Sequence, residues 1–245
     1  MNKILMVGNL LAAMTMSCQA ASNVVAAANG APGSDGYSVV TGGGKNVSGA
    51  GDSVTGHGPV KEAVRPVTGF NAIKIEGPVD VTYTVSATPS VRLLAQENIL
   101  PLITVDVVAG ELVLATKRAF STSAPIRALI SGPSPTAIRI DGSGSFTGAG
   151  LAGAALQLRV AGSGNINASG SVDTVDVVVT GSGDVDIGGI RARSAAVRIR
   201  GSGDVRAYAA QSATVEIAGS GDAHIKGSPP KRNVQRAGSG DVIFD

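Results

Sequence analysis

The tripeptide Gly-Ser-Gly occurs six times in the second half of this chain, beginning at Gly142, Gly162, Gly181, Gly201, Gly219 and Gly238. The intervals are 20, 19, 20, 18 and 19 residues. A period of that length belongs to one coil of a solenoid, in which no coil buries its apolar face alone and each is stabilised by its neighbours. The register is legible. Four and two residues ahead of successive copies stand Ile138/Ile140, Leu158/Val160, Val177/Val179, Val197/Ile199 and Val215/Ile217. Behind the tripeptide come Phe146, Ile166/Ala168, Val185/Ile187, Val205/Ala207 and Ala223/Ile225. Period-two alternation on both sides predicts two short strands per coil, facing each other across a narrow core with Gly-Ser-Gly as the corner. Arg139, Arg159, Arg198 and Glu216 fall at intervening positions and face solvent. Stacking the coils gives two parallel sheets about 10 Å apart. Glycine suits the corner because a tight turn calls for positive φ.

The last copy breaks the pattern. Arg236 stands where the inward aliphatic belongs, with Lys231, Arg232, Asn233 and Gln235 close by, which suits the open end of a sheet. Ile243 and Phe244 pull the other way, toward a contact surface.

From Val67 onward Ile73/Ile75, Val79/Val81/Tyr83, Val91/Leu93, Val105/Val107 and Leu112/Leu114 alternate without glycine punctuation. This half reads as wider, less regular coils of the same solenoid. Gln96 to Leu102 can make one helical turn, which Pro101 ends. Ahead of it, residues 21–63 are rich in Ala, Gly and Ser and read as a flexible tether, so the ordered domain is expected over 64–245.

Residues 1–20 read as an export signal: Lys3, an apolar run from Ile4 to Met14, then Ser17, Ala20 and Ala21. The run is shorter than the roughly 20 residues a spanning helix needs. Cys18, the only cysteine, follows Ser17 as in a bacterial lipobox, although Thr15 stands where Leu is usual. Lipidation at Cys18 or ordinary cleavage near Ala20 are both open, and neither leaves a disulfide. The expected location is outside the cytoplasm, in the periplasm or at the outer membrane or cell surface, with the membrane touched only through a lipid anchor. Formal net charge is +2, too small for a nucleic-acid partner.

The segment Arg65-Pro66-Val67-Thr68-Gly69-Phe70-Asn71-Ala72-Ile73-Lys74-Ile75, continuing through Val79-Asp80-Val81 and Ser90-Val91-Arg92 to Glu97-Asn98-Ile99-Leu100, resembles the opening of the head GIN domain family of bacterial auto-transporter adhesins. The Gly-Ser-Gly-Asp-Val copies at Gly181, Gly201 and Gly238 resemble that family's repeats. The resemblance spans about Val64 to Asp245. It implies an all-β, right-handed parallel β-helix of the pectin-lyase kind on an exported or lipid-anchored protein, with an adhesive role and no catalytic residues to carry over.

After each Gly-Ser-Gly stands a small polar residue: Ser145, Asn165, Asp184, Asp204, Asp222 and Asp241. Stacked about 4.8 Å apart, such carboxylates repel by roughly 0.9 kcal/mol in water and about 3.5 kcal/mol at an effective dielectric of 20. Either corner amides satisfy each side chain, as in Asx turns, or a cation does. For Ca²⁺ the ligands would be Asp184, Asp186, Asp204, Asp222 and Asp241, although the Gly-Gly-x-Gly-x-Asp nonapeptide of calcium β-rolls is absent. No other cofactor is expected.

Catalysis on this surface would make the chain a calcium-dependent acidic-polysaccharide lyase, with Asp184, Asp186 and Asp204 on the ion and Arg206 as base or clamp. The repeat itself accounts for that spacing, and the chain lacks Trp, has three Tyr and has four Phe, a poor supply of sugar platforms. His224 near Asp222 has no nucleophile to complete a triad. The expectation is therefore a non-enzymatic envelope module. Its candidate ligand-binding stripe is Thr147, Asn167, Arg206 and His224, with Asp186 between, facing an envelope glycan or a protein surface. A structural envelope protein without a ligand is the remaining alternative.

Overall fold

The computed structural model describes residues 53–245. The export signal of residues 1–20, Cys18 and residues 21–52 of the expected tether lie outside the described residues. The described chain is an all-β solenoid with no α-helix, and none of its helices is long and apolar enough to cross a membrane.

Two parallel stacks meet at the glycine corners. The pre-corner stack runs from Glu111–Thr116 through Ala72–Glu76 and Ala137–Gly142 and the later halves of Ser145–Gly162, Asn165–Gly181 and Val185–Gly201 to Ser212–Gly219 and Lys231–Gly238. The post-corner stack runs from Ile126–Gly132 through Val79–Val85 and the opening halves of the same three long strands to Val205–Tyr208, Ala223–Lys226 and Val242–Phe244. Every aliphatic residue that the alternation assigned to the interior of the repeats, from Ile138 to Ile225, is at most 3% exposed. Burial of these side chains drives the stacking, at about 1.5–3 kcal/mol for each large one.

Two features differ from the expected two-strand coil. First, Ser145–Gly162, Asn165–Gly181 and Val185–Gly201 are continuous strands, so the segment between the post-corner and pre-corner sides is itself a third side. Leu151, Leu156, Val172, Val175, Ile190 and Ala192 point inward from it. Register shifts between Gly148 and Leu151, and between Asn167 and Ser169, turn the strand onto this side. Small residues such as Gly148, Gly150, Gly153 and Ser169-Gly170-Ser171 dilute the alternation there.

Second, the early half is out of sequence order. The strands Ala72–Glu76 and Val79–Val85 pair with the first Gly-Ser-Gly coil, and Glu111–Thr116 and Ile126–Gly132 then slot in on their other side. Beyond them the stacks end in antiparallel strands: Ile103–Val108 on Glu111–Thr116, and Ser90–Gln96 on Ile126–Gly132. The far end is therefore an antiparallel cap rather than another wide coil.

Strands also begin earlier than composition suggested. Val54–Thr55 pairs with Phe120–Ser121, and Val60–Arg65 runs antiparallel to Ser90–Gln96. Val60 and Val64 are 53% and 68% exposed, so this edge strand carries no buried pattern to reveal it. Ladder bonds and the pairs Lys61–Glu97 (2.6 Å) and Arg92–Glu62 (2.6 Å) hold it instead. The single helical turn is a 3-10 turn over Leu100–Leu102, with Pro101 inside its first turn rather than after it.

An aromatic cluster fills the junction between the early half and the repeats. Tyr83 lies edge-on to Phe70 at 6.4 Å and stacked on Phe146 at 5.9 Å. Its hydroxyl donates to the Pro133 carbonyl, and burial pushes the phenol up to about 12.

Candidate functional site

The corner sets the geometry of everything beside it. The first glycine of each tripeptide has φ between +120° and +143°, the left-handed region that favours glycine. The second glycine is there for space. A Cβ on Gly164, Gly183, Gly203, Gly221 or Gly240 would strike the carbonyl oxygen of the equivalent glycine one rung below. The column of serines also bonds rung to rung, as Ser182 N–H donates to the Gly162 carbonyl at 2.9 Å and Ser202 N–H to that of Gly181 at 2.9 Å.

The residue after the corner completes the ladder. Asp184 N–H donates to Asn165 Oδ1 at 3.0 Å, Asp204 N–H to Asp184 Oδ1 at 2.9 Å, Asp222 N–H to Asp204 Oδ1 at 2.9 Å and Asp241 N–H to Asp222 Oδ1 at 2.8 Å. The strand ladder is interrupted at the turn, and the side-chain oxygen supplies the acceptor that a backbone carbonyl would otherwise provide. Charge-assisted bonds of this kind contribute about 1.5–3 kcal/mol each, comparable to the repulsion between stacked carboxylates. Arg236 Nη1 reaches Asp241 Oδ1 at 3.2 Å at the open end.

At the other end Ser145 Oγ donates to Asp80 Oδ1 at 2.7 Å, which makes Gly77-Pro78-Val79-Asp80 a seventh corner, with Gly77 at φ +105°. Its proline and valine hid it from a search for Gly-Ser-Gly.

Among the five carboxylates considered as calcium ligands, Asp184, Asp204 and Asp222 thus commit Oδ1 to the next rung, and Asp241 faces Arg236. Asp186 Oδ1 accepts from Gly188 N–H at 3.1 Å. No group of three or more His, Cys, Asp or Glu side chains among the described residues converges as a cation site.

The residues of the candidate stripe share one row. Thr82, Thr147, Asn167, Asp186, Arg206 and His224 are successive register partners across the post-corner stack. They alternate with buried residues and so point outward. His224 Nε2 is in close contact with Asp245 Oδ2, a partner that sequence separation concealed, and not with Asp222. Beside the stripe lie Tyr208, two residues after Arg206 on the same strand face, and its register partner Lys226. Arg191 places its guanidinium carbon 4.5 Å from the Tyr208 ring centroid. The same alternation that located Arg206 also locates Tyr208.

On the pre-corner stack most of the charges pair with one another: Arg139 with Glu111, Lys74 with Glu76 and Asp141, and Arg198 with Asp176 at 2.8 Å and Glu216 at 3.6 Å, while Arg159 and Arg200 stand exposed outside these pairs.

Fold and site together define a β-solenoid whose post-corner side carries a row of outward polar side chains and whose pre-corner side carries mostly paired charges. A family profile described as "Putative auto-transporter adhesin, head GIN domain" matches residues 69–229, and the chain belongs to that family. No curated protein sequence matches the chain. Among solved structures, one described as a putative adhesin from Bacteroides fragilis is similar at TM-score 0.65 and 21% identity, covering 79% of this chain and 100% of its own. A protein described as a putative lipid binding protein from Parabacteroides distasonis follows at 0.56 and 20%, covering 79% and 100%. One described as a putative adhesin from Parabacteroides merdae stands at 0.53 and 18%, covering 80% and 100%. At these identities the likeness shows the fold.

Proposed function

We propose that this chain is a non-enzymatic binding module of the cell envelope, holding a glycan or other surface polymer along the post-corner stack. The observation that carries this reading is the register of Thr147, Asn167, Asp186, Arg206 and His224, one outward polar side chain per rung on consecutive rungs. An extended polymer lying along the solenoid axis meets a hydrogen-bonding group about every 4.8 Å, with no cavity needed. The family's description as adhesins supports a location at the cell surface, and Cys18 would supply a lipid anchor there. One fold neighbour's description as a lipid-binding protein supports binding as the shared theme while offering another ligand class.

The test is saturable binding of the full chain to immobilised surface polysaccharides, compared with an Asn167→Ala/His224→Ala variant. Weaker binding by the variant at unchanged melting temperature is expected. Unchanged binding would place the ligand on another side.

A further inference from the structure

We infer that the C-terminal end of this stripe is an acid-recognising subsite, so that the polymer held there is an acidic polysaccharide bearing carboxylate or sulfate groups. This rests on the binding role proposed above. The charges carry it. Arg191 lies over the Tyr208 ring, Lys226 is the register partner of Tyr208 and Arg206 stands two residues before it on the same face; all three are exposed and form no ion pair with any described residue. The pre-corner stack, by contrast, pairs most of its charges with one another.

Carboxylates flank the subsite without pairing with its cations: Asp186, the register partner of Arg206, accepts from the Gly188 amide, Asp204 accepts from the Asp222 amide, and Asp245 contacts His224. The arrangement is also held in place. The Tyr208 ring fixes the Arg191 guanidinium from one side. Gly227, at φ +98°, leaves room for that ring, because a Cβ there would lie 2.7 Å from Cε2 and 2.9 Å from Cζ. Two guanidinium forks and an ammonium presented by adjacent rungs match a chain of repeated planar carboxylates or tetrahedral sulfates.

A sugar polymer fits this surface better than an anionic bilayer. Thr82, Thr147 and Asn167 offer neutral hydrogen bonds to hydroxyls, and the one large exposed apolar side chain next in the row is Ile243, the register partner of His224, a single anchor rather than an apolar patch.

The experiment measures binding of the full chain to oligogalacturonate, to a neutral glucan oligosaccharide of equal length, and to phosphatidylglycerol vesicles. Wild-type protein is compared with Arg206→Gln/Lys226→Gln. Arg159→Gln/Arg200→Gln serves as the charge-matched control on the other side, since both arginines are exposed and unpaired among the described residues. The expected result is a preference for the acidic over the neutral oligosaccharide that falls about tenfold or more in the first variant, as loss of charged hydrogen bonds implies, and stays intact in the control. Neutral binding is expected to be equal in all three proteins.

Equal affinity of wild type for both oligosaccharides, or equal losses in the two variants, would overturn the acidic subsite and leave the binding role standing. Absence of oligogalacturonate binding would overturn the acidic subsite, while the binding role stands or falls on the surface-polysaccharide test above. Vesicle binding that depends on Arg206 and Lys226, with no oligogalacturonate bound, would replace the polysaccharide with a lipid surface.

Discussion

Gly183, Gly203, Gly221 and Gly240 form one line along the solenoid, each backbone stacked so closely on the last that no β-carbon fits between them. Gly203→Ala, in mid-stack, should cost about 2 kcal/mol or more, the scale of a core overpacked by a methyl group with no flexible side chain to yield. Urea denaturation checks this, and a loss under about 0.5 kcal/mol would mean that the rungs separate more easily than the corner geometry implies. The neighbouring aspartates make a sharper residue-scale test. Asp204→Asn keeps the Oδ1 acceptor for Asp222 N–H, as Asn165 already does for Asp184, and also removes a like charge from the column. It should leave stability unchanged or slightly higher, whereas Asp204→Ala orphans that amide and should cost about 1–3 kcal/mol. Thermal unfolding with calcium and with chelator belongs beside it. The amide ladder predicts coincident curves, and a calcium-dependent rise lost in Asp184→Ala/Asp204→Ala would make the column a metal site.

At the scale of elements, the strand Val79–Val85 joins the early half to the repeats and carries Tyr83 into the aromatic cluster. Folding holds the Tyr83 phenol at about 12 against an ordinary 10.0, so the protonated form is favoured in the folded state. The resulting stabilisation is complete below pH 10 and is lost as pH rises from 10 toward 12. Tyr83→Phe should therefore show a flatter fall in melting temperature across that window than wild type, with about 1 kcal/mol lost at neutral pH from the missing bond to the Pro133 carbonyl.

How much the sequence discloses also differs from element to element. The repeat strands are legible because Val177/Val179 or Val197/Ile199 alternate cleanly between two identical corners. The third side is obscured by its glycines and serines. The edge strand Val60–Arg65 is invisible because its pairing is made by backbone and surface ions rather than by burial. The insertion of Glu111–Thr116 beneath Ala72–Glu76 leaves no local trace, since any parallel strand with the right alternation fits that slot. For the candidate site, the stripe follows from period-two alternation, whereas the His224–Asp245 contact needs the two rungs stacked.

On the scale of the whole molecule, stability should spread through nearest-neighbour contacts between rungs. Ile199 is 1% exposed in mid-stack, and Ile199→Ala should cost about 2–5 kcal/mol in urea denaturation. Val234, 40% exposed on the last rung, should tolerate alanine with a loss under about 1 kcal/mol. Equal losses at the two positions would mean that the open end is covered in solution. Display at the envelope has its own test. Feeding cells an alkynyl fatty acid should label the wild-type protein and leave Cys18→Ala unlabelled, and equal labelling would remove Cys18 as the anchor.

The central claim is a solenoid that binds a polymer along its post-corner stack without transforming it. One titration tests this most directly: soluble acidic and neutral polysaccharides against the full chain and an Asn167→Ala/Arg206→Ala/His224→Ala variant, with newly formed chain ends assayed in the same samples. The account predicts saturable binding by the wild type, a loss of about tenfold or more in the variant at unchanged melting temperature, and no new chain ends in either. Chain ends accumulating with the wild-type protein, or a variant that binds as tightly as wild type, would contradict it.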